Sequence, residues 1–298
     1  MPRYLISGAA GFIGSNLALE LEARGHEVVA VDCLRTGARE NLTGFRGRFL
    51  LADVTQPFEA EGAWDGIFHH GDITDPRHGN DQEVLERNVG GFSRMLALAS
   101  QAGCRLVYAS TAGLYGNGPT PMQEDQPKQL ITAYGRSKLQ MDELAAAHTS
   151  TPVVGLRYFN VYGPREAGKG RAASMVYHLF RQIQQGDAPK IFEWGDQIRD
   201  FIHVQDVVAA NLCALTAPSG VYNVGTGVGS TFNDLVKALG LALGKNITPH
   251  YIPMPYDPAT YQSNTVADTS RAQARLGFTA RWGLNDGVAH YVNWLKQQ

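Results

Sequence analysis

The chain has 298 residues, of which 44% are apolar and 18% charged, and its formal net charge is −2 at pH 7. This composition is ordinary for a globular protein with a full core, arranged as one large domain or two. The small net charge, without a long basic or acidic block, argues against nucleic acid or an anionic membrane as the main partner.

The cysteines and the start of the chain bear on location. Cys33, Cys104 and Cys213 are odd in number, lie far apart and match no zinc or redox spacing. We therefore expect reduced thiols in the cytoplasm. The first apolar run begins at Tyr4, so we expect no signal peptide, and no apolar stretch is long enough to span a bilayer. We expect no metal site, because the adjacent pair His69–His70 would point to opposite faces of a strand.

The first half of the chain alternates short apolar runs with helical patterns. A strand is predicted over residues 3–7, followed by a helix that begins near Phe12 and ends near Gly25. Further strands are predicted at 27–32, 49–53, 66–69, 105–109 and 153–157. Strands that are apolar on both faces and alternate with helices predict an α/β fold, a Rossmann-like doubly wound parallel sheet.

The pattern changes after about Pro164, where an amphipathic helix is predicted over 172–185 and the loops become irregular. We therefore predict two domains with a cleft between them. Residues 1–164 would form a dinucleotide-binding domain, which the chain rejoins over about 199–227. Residues 165–198 and 228–298 would form a smaller C-terminal substrate-binding domain.

Three glycines, Gly8, Gly11 and Gly14, stand where the first strand turns into the first helix. The first permits a tight turn, the second lets the backbone approach a pyrophosphate, and the third lets the helix pack close to the sheet. The helix N-terminus at Phe12 and Ile13 offers free amide donors to phosphates. The turn therefore predicts a dinucleotide site, although a plain structural turn would use the same glycines.

Acidic residues at the ends of the next two strands extend this prediction. Asp32 follows Gly14 by 18 residues, where a carboxylate binds the adenosine ribose and favours NAD. Arg35 comes just after it and could hold the 2′-phosphate of NADP, so NAD and NADP both remain open as cofactors. Asp53 and Val54 end the third strand and would flank the adenine, although an exposed loop carboxylate would equally explain Asp53.

A tyrosine and a lysine, Tyr134 and Lys138, stand four residues apart and so share one face of a helix. A phenol with a pKa of about 10 is a poor base at neutral pH, and a nearby ammonium lowers that pKa. The pair can then remove a proton from an alcohol while a nicotinamide takes the hydride. A solvated helix face would also explain the pair alone, but the glycine turn and the hydroxyls at Ser110–Thr111 favour catalysis.

The glycine turn, the hydroxyls at Ser110–Thr111 and the Tyr134/Lys138 pair follow one another in this order. In this respect the chain resembles the extended short-chain dehydrogenase/reductases, which act mostly on nucleotide sugars. The segment from Arg157 to Glu166, followed by Gly168–Lys169–Gly170, is similar to the ADP-glycero-manno-heptose 6-epimerases. Lys169, between the two glycines, is more specific to these epimerases than the segment from Arg157 to Glu166. The resemblance implies an isomerase, a nucleotide-sugar epimerase that holds NAD or NADP tightly and works as a homo-oligomer.

The resemblance also implies roles for single residues. Tyr134 and Lys169 would be the two acid/base groups, on opposite sides of the reacting carbon. Lys138 would hold the nicotinamide ribose and tune the tyrosine, while Thr111 would orient the substrate. Further positions match cofactor contacts at Gly71, Asn88 and Val161, and substrate contacts at Asn160, His178, Phe192, Arg199 and Tyr261.

Two residues depart from the family pattern. Asp72 stands beside the cofactor, where relatives usually carry small uncharged residues, and would either find a donor or disfavour phosphate nearby. Arg171 replaces a small polar residue in a segment that touches substrate in the family.

The implied reaction is a transient oxidation, because the C–H of a secondary alcohol is not acidic enough for direct inversion. The carbonyl rotates in the site and is reduced on its other face, with no net redox. The alternative is a UDP-hexose 4-epimerase, in which one tyrosine serves both faces, and after it a non-catalytic NAD(P)-binding protein. A 4,6-dehydratase is less expected, because it needs an acidic residue after Thr111, where the chain has Ala112.

Overall fold

The computed structural model describes residues 1–60, 62–75, 77–257 and 261–298. The helices in those ranges are α1 (Phe12–Ala23), α2 (Asp81–Ala102), α3 (Ala133–Ala147), α4 (Met175–Gln184), α5 (Val204–Ala214), α6 (Phe232–Leu243) and α7 (Leu284–Leu295). The strands are β1 (Arg3–Ser7), β2 (Glu27–Asp32), β3 (Arg48–Leu51), β4 (Gly66–His69), β5 (Arg105–Thr111), β6 (Val153–Tyr158), β7 (Asn160–Tyr162), β8 (Lys190–Phe192), β9 (Ile198–Arg199), β10 (Phe201–His203), β11 (Gly220–Val224), β12 (Ser230–Thr231), β13 (His250–Ile252) and β14 (Asn264–Thr265).

Seven strands form one sheet in the order β11-β6-β5-β4-β1-β2-β3. Every neighbouring pair in it is parallel. Adjacent residues on β1, Leu5 and Ile6, are both fully buried but belong to different apolar clusters. The sheet is therefore covered on both faces, as parallel sheets are. The prediction of a Rossmann-like, doubly wound α/β fold is confirmed.

Helices pack on each face of this sheet. On one face α1 packs against α5, and Leu17 and Ala210 are buried with Ile6. On the other face α2 packs against α3, where Phe92 and Met141 join Leu5. The chain order reverses at β1, with β2 on one side and β4 on the other. In such sheets ligands bind outside the carboxyl ends of the strands at this reversal.

The C-terminal part contributes a further apolar cluster in which α4, α6 and α7 meet, with Leu179, Leu235 and Val288 fully buried. From the segment predicted to rejoin the first domain, β11 lies beside β6 at the edge of the main sheet. The division into two domains stays a prediction. Within the described ranges, the helices are too short or too polar to cross a membrane.

Two helix starts position side chains of the site. Thr132 caps α3, because its side chain accepts a hydrogen bond from the first-turn backbone, and Tyr134 comes two residues later. Ser174 caps α4 in the same way. The helix therefore begins at Met175 rather than at the predicted residue 172. The preceding residues, Ala167–Ala172, form a 3-10 turn instead.

Candidate active site

A cavity of about 500 Å³ opens at the carboxyl ends of the central strands, and a smaller cavity continues it over the ends of β2 and β3. Of the predicted site residues, the larger cavity is lined by Gly8, Gly11, Phe12, Ile13, Gly14, Thr111, Tyr134, Lys138, Asn160, Val161, Lys169, Phe192, Arg199 and Tyr261. The smaller cavity is lined by Asp32, Arg35, Asp53, Val54, Gly71 and Asn88. His178 lines neither cavity.

The turn between β1 and α1 leaves no space for side chains at two of its glycines. Gly8 has a φ of 68°, and a Cβ there would lie 2.5 Å from the His70 carbonyl oxygen. A Cβ on Gly14 would lie 2.2 Å from the carbonyl oxygen of Gly8. Gly11, the N-cap of α1, supplies no side-chain cap, so the first-turn amides stay available to an anion. The turn therefore fits a pyrophosphate.

Substitutions at two of these glycines should have different effects. A Cβ on Gly11 lies 3.1 Å from the nearest atom, so we expect Gly11→Val to fold. We expect this variant to lose NAD binding, because the valine side chain fills the space that the pyrophosphate would occupy. We expect Gly14→Ala to lower the melting temperature, because its methyl meets the Gly8 carbonyl. Calorimetric titration with NAD and thermal unfolding measure the two effects. Unchanged NAD affinity in Gly11→Val would exclude the pyrophosphate from this turn.

In the smaller cavity, at the end of β2, the side chain of Asp32 is buried and held by backbone N–H donors. Its two carboxylate oxygens accept hydrogen bonds from the amides of Ala10 at 2.9 Å and Leu34 at 2.7 Å. Burial raises the pKa of Asp32, and these hydrogen bonds oppose the rise. Arg35 is already paired, because its Nη2 lies 2.6 Å from Oε1 of Glu83 on α2. Glu83 is distant in sequence, so this pair was not predictable from the chain alone.

Two further residues of the smaller cavity also have partners in the protein. Asp53 accepts a hydrogen bond from Arg87 at 2.6 Å. Burial opposes its ionisation, but Arg87 and neighbouring hydrogen bonds lower its pKa overall. Asn88 is fully buried; it accepts from the Ile73 amide at 2.7 Å and donates to the Ile73 carbonyl and to Ser137, each at 3.0 Å. Asn88 thus joins the loop after β4 to α3 and shapes the cavity wall.

Tyr134 stands at the start of α3, beside Thr111 at the end of β5. Burial raises the pKa of Tyr134, the Lys138 ammonium lowers it, the Asp72 carboxylate raises it, and a hydrogen bond with Thr111 lowers it. The net direction is upward. The lowering expected from Lys138 is therefore outweighed by burial.

Lys138 is fully buried and makes two strong contacts. Its Nζ donates to Oδ2 of Asp72 at 2.5 Å and to the Ala109 carbonyl at 2.6 Å, and it lies 5.7 Å from the centre of the Tyr134 ring. Of the two outcomes expected for Asp72, the structure shows the first, because the carboxylate has found a donor. Burial alone would raise the pKa of Asp72, but Lys138 and His69 hold it well below its usual range.

Lys169 also lines the larger cavity and lies on the Ala167–Ala172 turn. Its Nζ lies 5.6 Å from the centre of the Phe12 ring. Burial lowers the pKa of Lys169, and the carboxylates of Glu166 and Asp75 oppose this. Glu166 is fully buried and accepts hydrogen bonds from the amide of Ser174 at 2.5 Å and its hydroxyl at 2.8 Å. Glu166 lay within the recognised motif, yet nothing in the sequence showed that it anchors this turn.

Aromatic side chains and the buried cation Arg199 line the part of the cavity formed by the C-terminal half of the chain. Arg199 is 8% exposed, and among the described residues it forms no ion pair with a carboxylate. Its guanidinium lies 5.1 Å from the centre of the Tyr261 ring. Tyr256 stacks on Tyr261 with 5.7 Å between centres and 4° between planes, and Phe192 meets both rings edge-on. Tyr256 was missed, because an isolated tyrosine in an irregular loop gives no sequence signal.

The remaining predicted residues have simpler surroundings. Asn160 is exposed at the cavity, and its Oδ1 accepts from the Thr265 hydroxyl at 3.2 Å. His178, on α4, packs edge-on against the neighbouring Tyr177 at 5.9 Å between ring centres. Across the described ranges, histidine, cysteine and carboxylate side chains form no group of three or more that could hold a metal ion.

Known proteins match this chain in sequence and in structure. A family model described as "NAD dependent epimerase/dehydratase family" matches residues 4–225. The ADP-L-glycero-D-manno-heptose-6-epimerase of Thiobacillus denitrificans is 34% identical, and the match covers 98% of each chain. The crystal structure of Helicobacter pylori ADP-L-glycero-D-manno-heptose-6-epimerase is 34% identical, with a TM-score of 0.93 over 100% of this chain and 97% of that one. The UDP-glucose 4-epimerase of Thermotoga maritima, solved with UDP-glucose, is 28% identical, with a TM-score of 0.88 over 99% of each chain.

Proposed function

The chain belongs to the NAD dependent epimerase/dehydratase family, and from this premise we propose that it interconverts the C6 epimers of ADP-glycero-manno-heptose. The observation that supports this most is that Tyr134 and Lys169, from two different elements, line one cavity. Two acid/base groups suit a reaction in which the reacting oxygen occupies two positions, because one group cannot reach both at hydrogen-bond distance. Relatives named as heptose epimerases match nearly the whole chain.

In the proposed reaction, Tyr134 and Lys169 exchange protons with the substrate oxygen in its two orientations. Tyr134 takes the hydroxyl proton of one epimer as its carbon becomes a carbonyl. After the carbonyl rotates, Lys169 gives its proton to the oxygen on the other side. Burial keeps the pKa of Lys169 below that of a free lysine, which suits an acid/base group near neutral pH. A bound nicotinamide dinucleotide supplies the hydride acceptor and, on the return step, the hydride donor.

The cofactor would lie across both cavities. The pyrophosphate would meet the turn from Gly8 to Gly14, and Asp32 would accept from the adenosine ribose hydroxyls. Asp53 and Val54 would flank the adenine, while Lys138 would hold the nicotinamide ribose. Gly71, Asn88 and Val161 complete the proposed cofactor contacts.

The substrate would enter from the C-terminal part. We assign its diphosphate to Arg199, since a buried guanidinium without a carboxylate partner favours an anion. The aromatic cluster of Phe192, Tyr256 and Tyr261 suits the purine ring, because aromatic side chains stack on bases. Asn160 would contact the sugar. His178 packs outside the cavity wall, so any effect it has on the sugar would pass through neighbouring side chains.

We further propose that the protein prefers NAD to NADP. Asp32 would place a negative charge where NADP carries its 2′-phosphate, and Arg35 is held by Glu83. We expect Glu83→Gln to free this guanidinium and to tighten NADP binding about three- to tenfold relative to NAD, the range of a partly screened charge-assisted hydrogen bond. Calorimetric titration with both cofactors measures the ratio. Glu86→Gln, on the same helix, is the control, and an equal change in both variants would contradict the role of Arg35.

The function is tested by incubating the purified protein with ADP-glycero-manno-heptose and, separately, with UDP-glucose. NMR follows the configuration of each sugar. We expect inversion at C6 of the heptose. Inversion at C4 of UDP-glucose instead would select the UDP-hexose 4-epimerase reading, which the fold of the Thermotoga enzyme also supports. NAD binding without turnover of either sugar would select a non-catalytic binding protein.

A homo-oligomer in the cytoplasm is also part of the proposal. The three cysteines are free thiols, which fits a reducing compartment. Sedimentation velocity tests subunit association, and cell fractionation tests the location.

A further inference from the structure

A buried carboxylate lies against the lysine of the Tyr134–Lys138 pair. Asp72 follows the end of β4 by three residues, its side chain is 1% exposed, and its Oδ2 lies 2.5 Å from Nζ of Lys138. Its Oδ1 lies 3.5 Å from Nε2 of His69, whose Nδ1 is 2.6 Å from the Ser7 hydroxyl. Since the ammonium is fully buried, loss of the carboxylate would leave it without a charged partner.

The ionisable groups around Tyr134 come from α3, from β6 and from the loop after β4. Burial lowers the pKa of His70 to about 3, so this imidazole is neutral at physiological pH. Burial raises the pKa of Tyr158 far above that of a free phenol, so it stays protonated. The charges that act on the Tyr134 phenol from these elements are therefore the Lys138 ammonium and the Asp72 carboxylate.

We propose that Asp72 is a positioning residue, which holds the Lys138 ammonium in its buried place and offsets the charge that this ammonium presents to the Tyr134 phenol. This rests on the proposed role of Tyr134 as an acid/base group. An ammonium has three N–H donors, and Lys138 gives two of them to Asp72 and Ala109. One donor remains for a ligand hydroxyl, so the carboxylate fixes the direction in which Lys138 can bind.

The offset of the Lys138 charge by Asp72 suits Tyr134, because this group must both take and return a proton. A tyrosine next to an unopposed ammonium would ionise readily, but its phenolate would be a weak base towards the substrate hydroxyl. A carboxylate beside that ammonium offsets its charge, since a like charge disfavours the phenolate. The pair of Asp72 and Lys138 thus moderates the acidity of Tyr134 while it keeps the ammonium in place.

The test is a titration of the Tyr134 phenolate by its ultraviolet absorbance in the protein as purified. Subtracting the same titration of the Tyr134→Phe protein isolates this tyrosine from the others. We expect Asp72→Asn, which has nearly the same shape without the charge, to lower the apparent pKa of Tyr134 by about one unit. The acidic limb of the kcat profile should move to lower pH in the same variant, because the base is active when deprotonated.

Asp81→Asn is the matched control, because Asp81 is an exposed carboxylate paired with Arg136 of α3, 2.6 Å away. Its phenolate titration should match the wild type. If Asp72→Asn does not fold, Asp72→Ala leaves room for water beside the ammonium, and the same downward shift is expected. An unchanged or higher Tyr134 pKa in the folded variant overturns the proposal. The titration needs no substrate, so it decides this point even if the protein does not epimerise the heptose.

Discussion

Lys169→Met and Tyr134→Phe should each slow epimerisation of ADP-glycero-manno-heptose by a factor of about 100 to 10,000, the usual cost of removing a positioned acid/base group. The two side chains line one cavity but come from different elements, α3 and the Ala167–Ala172 turn. Each would therefore serve a different orientation of the substrate oxygen. Initial rates measured by NMR from each pure epimer give both effects.

The two variants should differ in the epimer that they fail to oxidise. With an aldehyde analogue of the intermediate, each should still perform the half of the redox cycle that its remaining base serves. Lys237→Met, an exposed lysine on α6, is the control and should retain full activity. If Lys169→Met turns over at a nearly normal rate on whichever nucleotide sugar the wild type accepts, the two-base mechanism fails and the UDP-hexose 4-epimerase reading stands.

Arg199→Gln should weaken binding of the nucleotide sugar about ten- to a hundredfold, because a hydrogen bond to a charged group contributes about 1.5–3 kcal/mol. The guanidinium is buried among Phe232 and Tyr261 and has no carboxylate ion pair in the described part of the chain. Calorimetric titration with ADP, which lacks the sugar, separates diphosphate recognition from recognition of the heptose. We expect the loss in affinity for both ligands.

The stability of the same variant distinguishes a binding role from a structural one. Burial of an unpaired charge is unfavourable, so its removal should leave the melting temperature unchanged or raise it. Arg181→Gln, an exposed arginine on α4, is the matched control and should change neither affinity nor stability. A lower melting temperature with unchanged ADP affinity would mean that Arg199 serves the fold alone.

The main sheet and the glycine turn were predictable because both depend on short-range patterns. Apolar strands between helical segments indicate a parallel sheet, and Gly8 and Gly14 stand where the backbone leaves no space for a Cβ. The spacing of Tyr134 and Lys138 likewise follows from the period of one helix. Each of these features depends on residues that are close together in the sequence, so each could be predicted without knowledge of tertiary contacts.

The partners of the site residues were not predictable, because they come from distant segments. Asp72 and Lys138 are 66 residues apart, and their contact depends on how the loop after β4 meets α3. The pairing of Arg35 with Glu83 and the anchoring of Glu166 at Ser174 are also tertiary contacts. Helix α4 begins three residues later than predicted, because the amphipathic pattern continues through the Ala167–Ala172 turn and Ser174 caps the helix only after it.

The turn that carries Lys169 is six residues long and separate from the main sheet. Its anchor, Glu166, binds the backbone and hydroxyl of Ser174 and the amide of Gly163, and Arg171 on the turn itself pairs with Asp75 at 2.6 Å. The turn is therefore held by its own flanks and also by the loop after β4, on which Asp75 lies. A change that adds or removes a second base here would have to preserve both supports, so this segment would not evolve independently of the cofactor-binding fold.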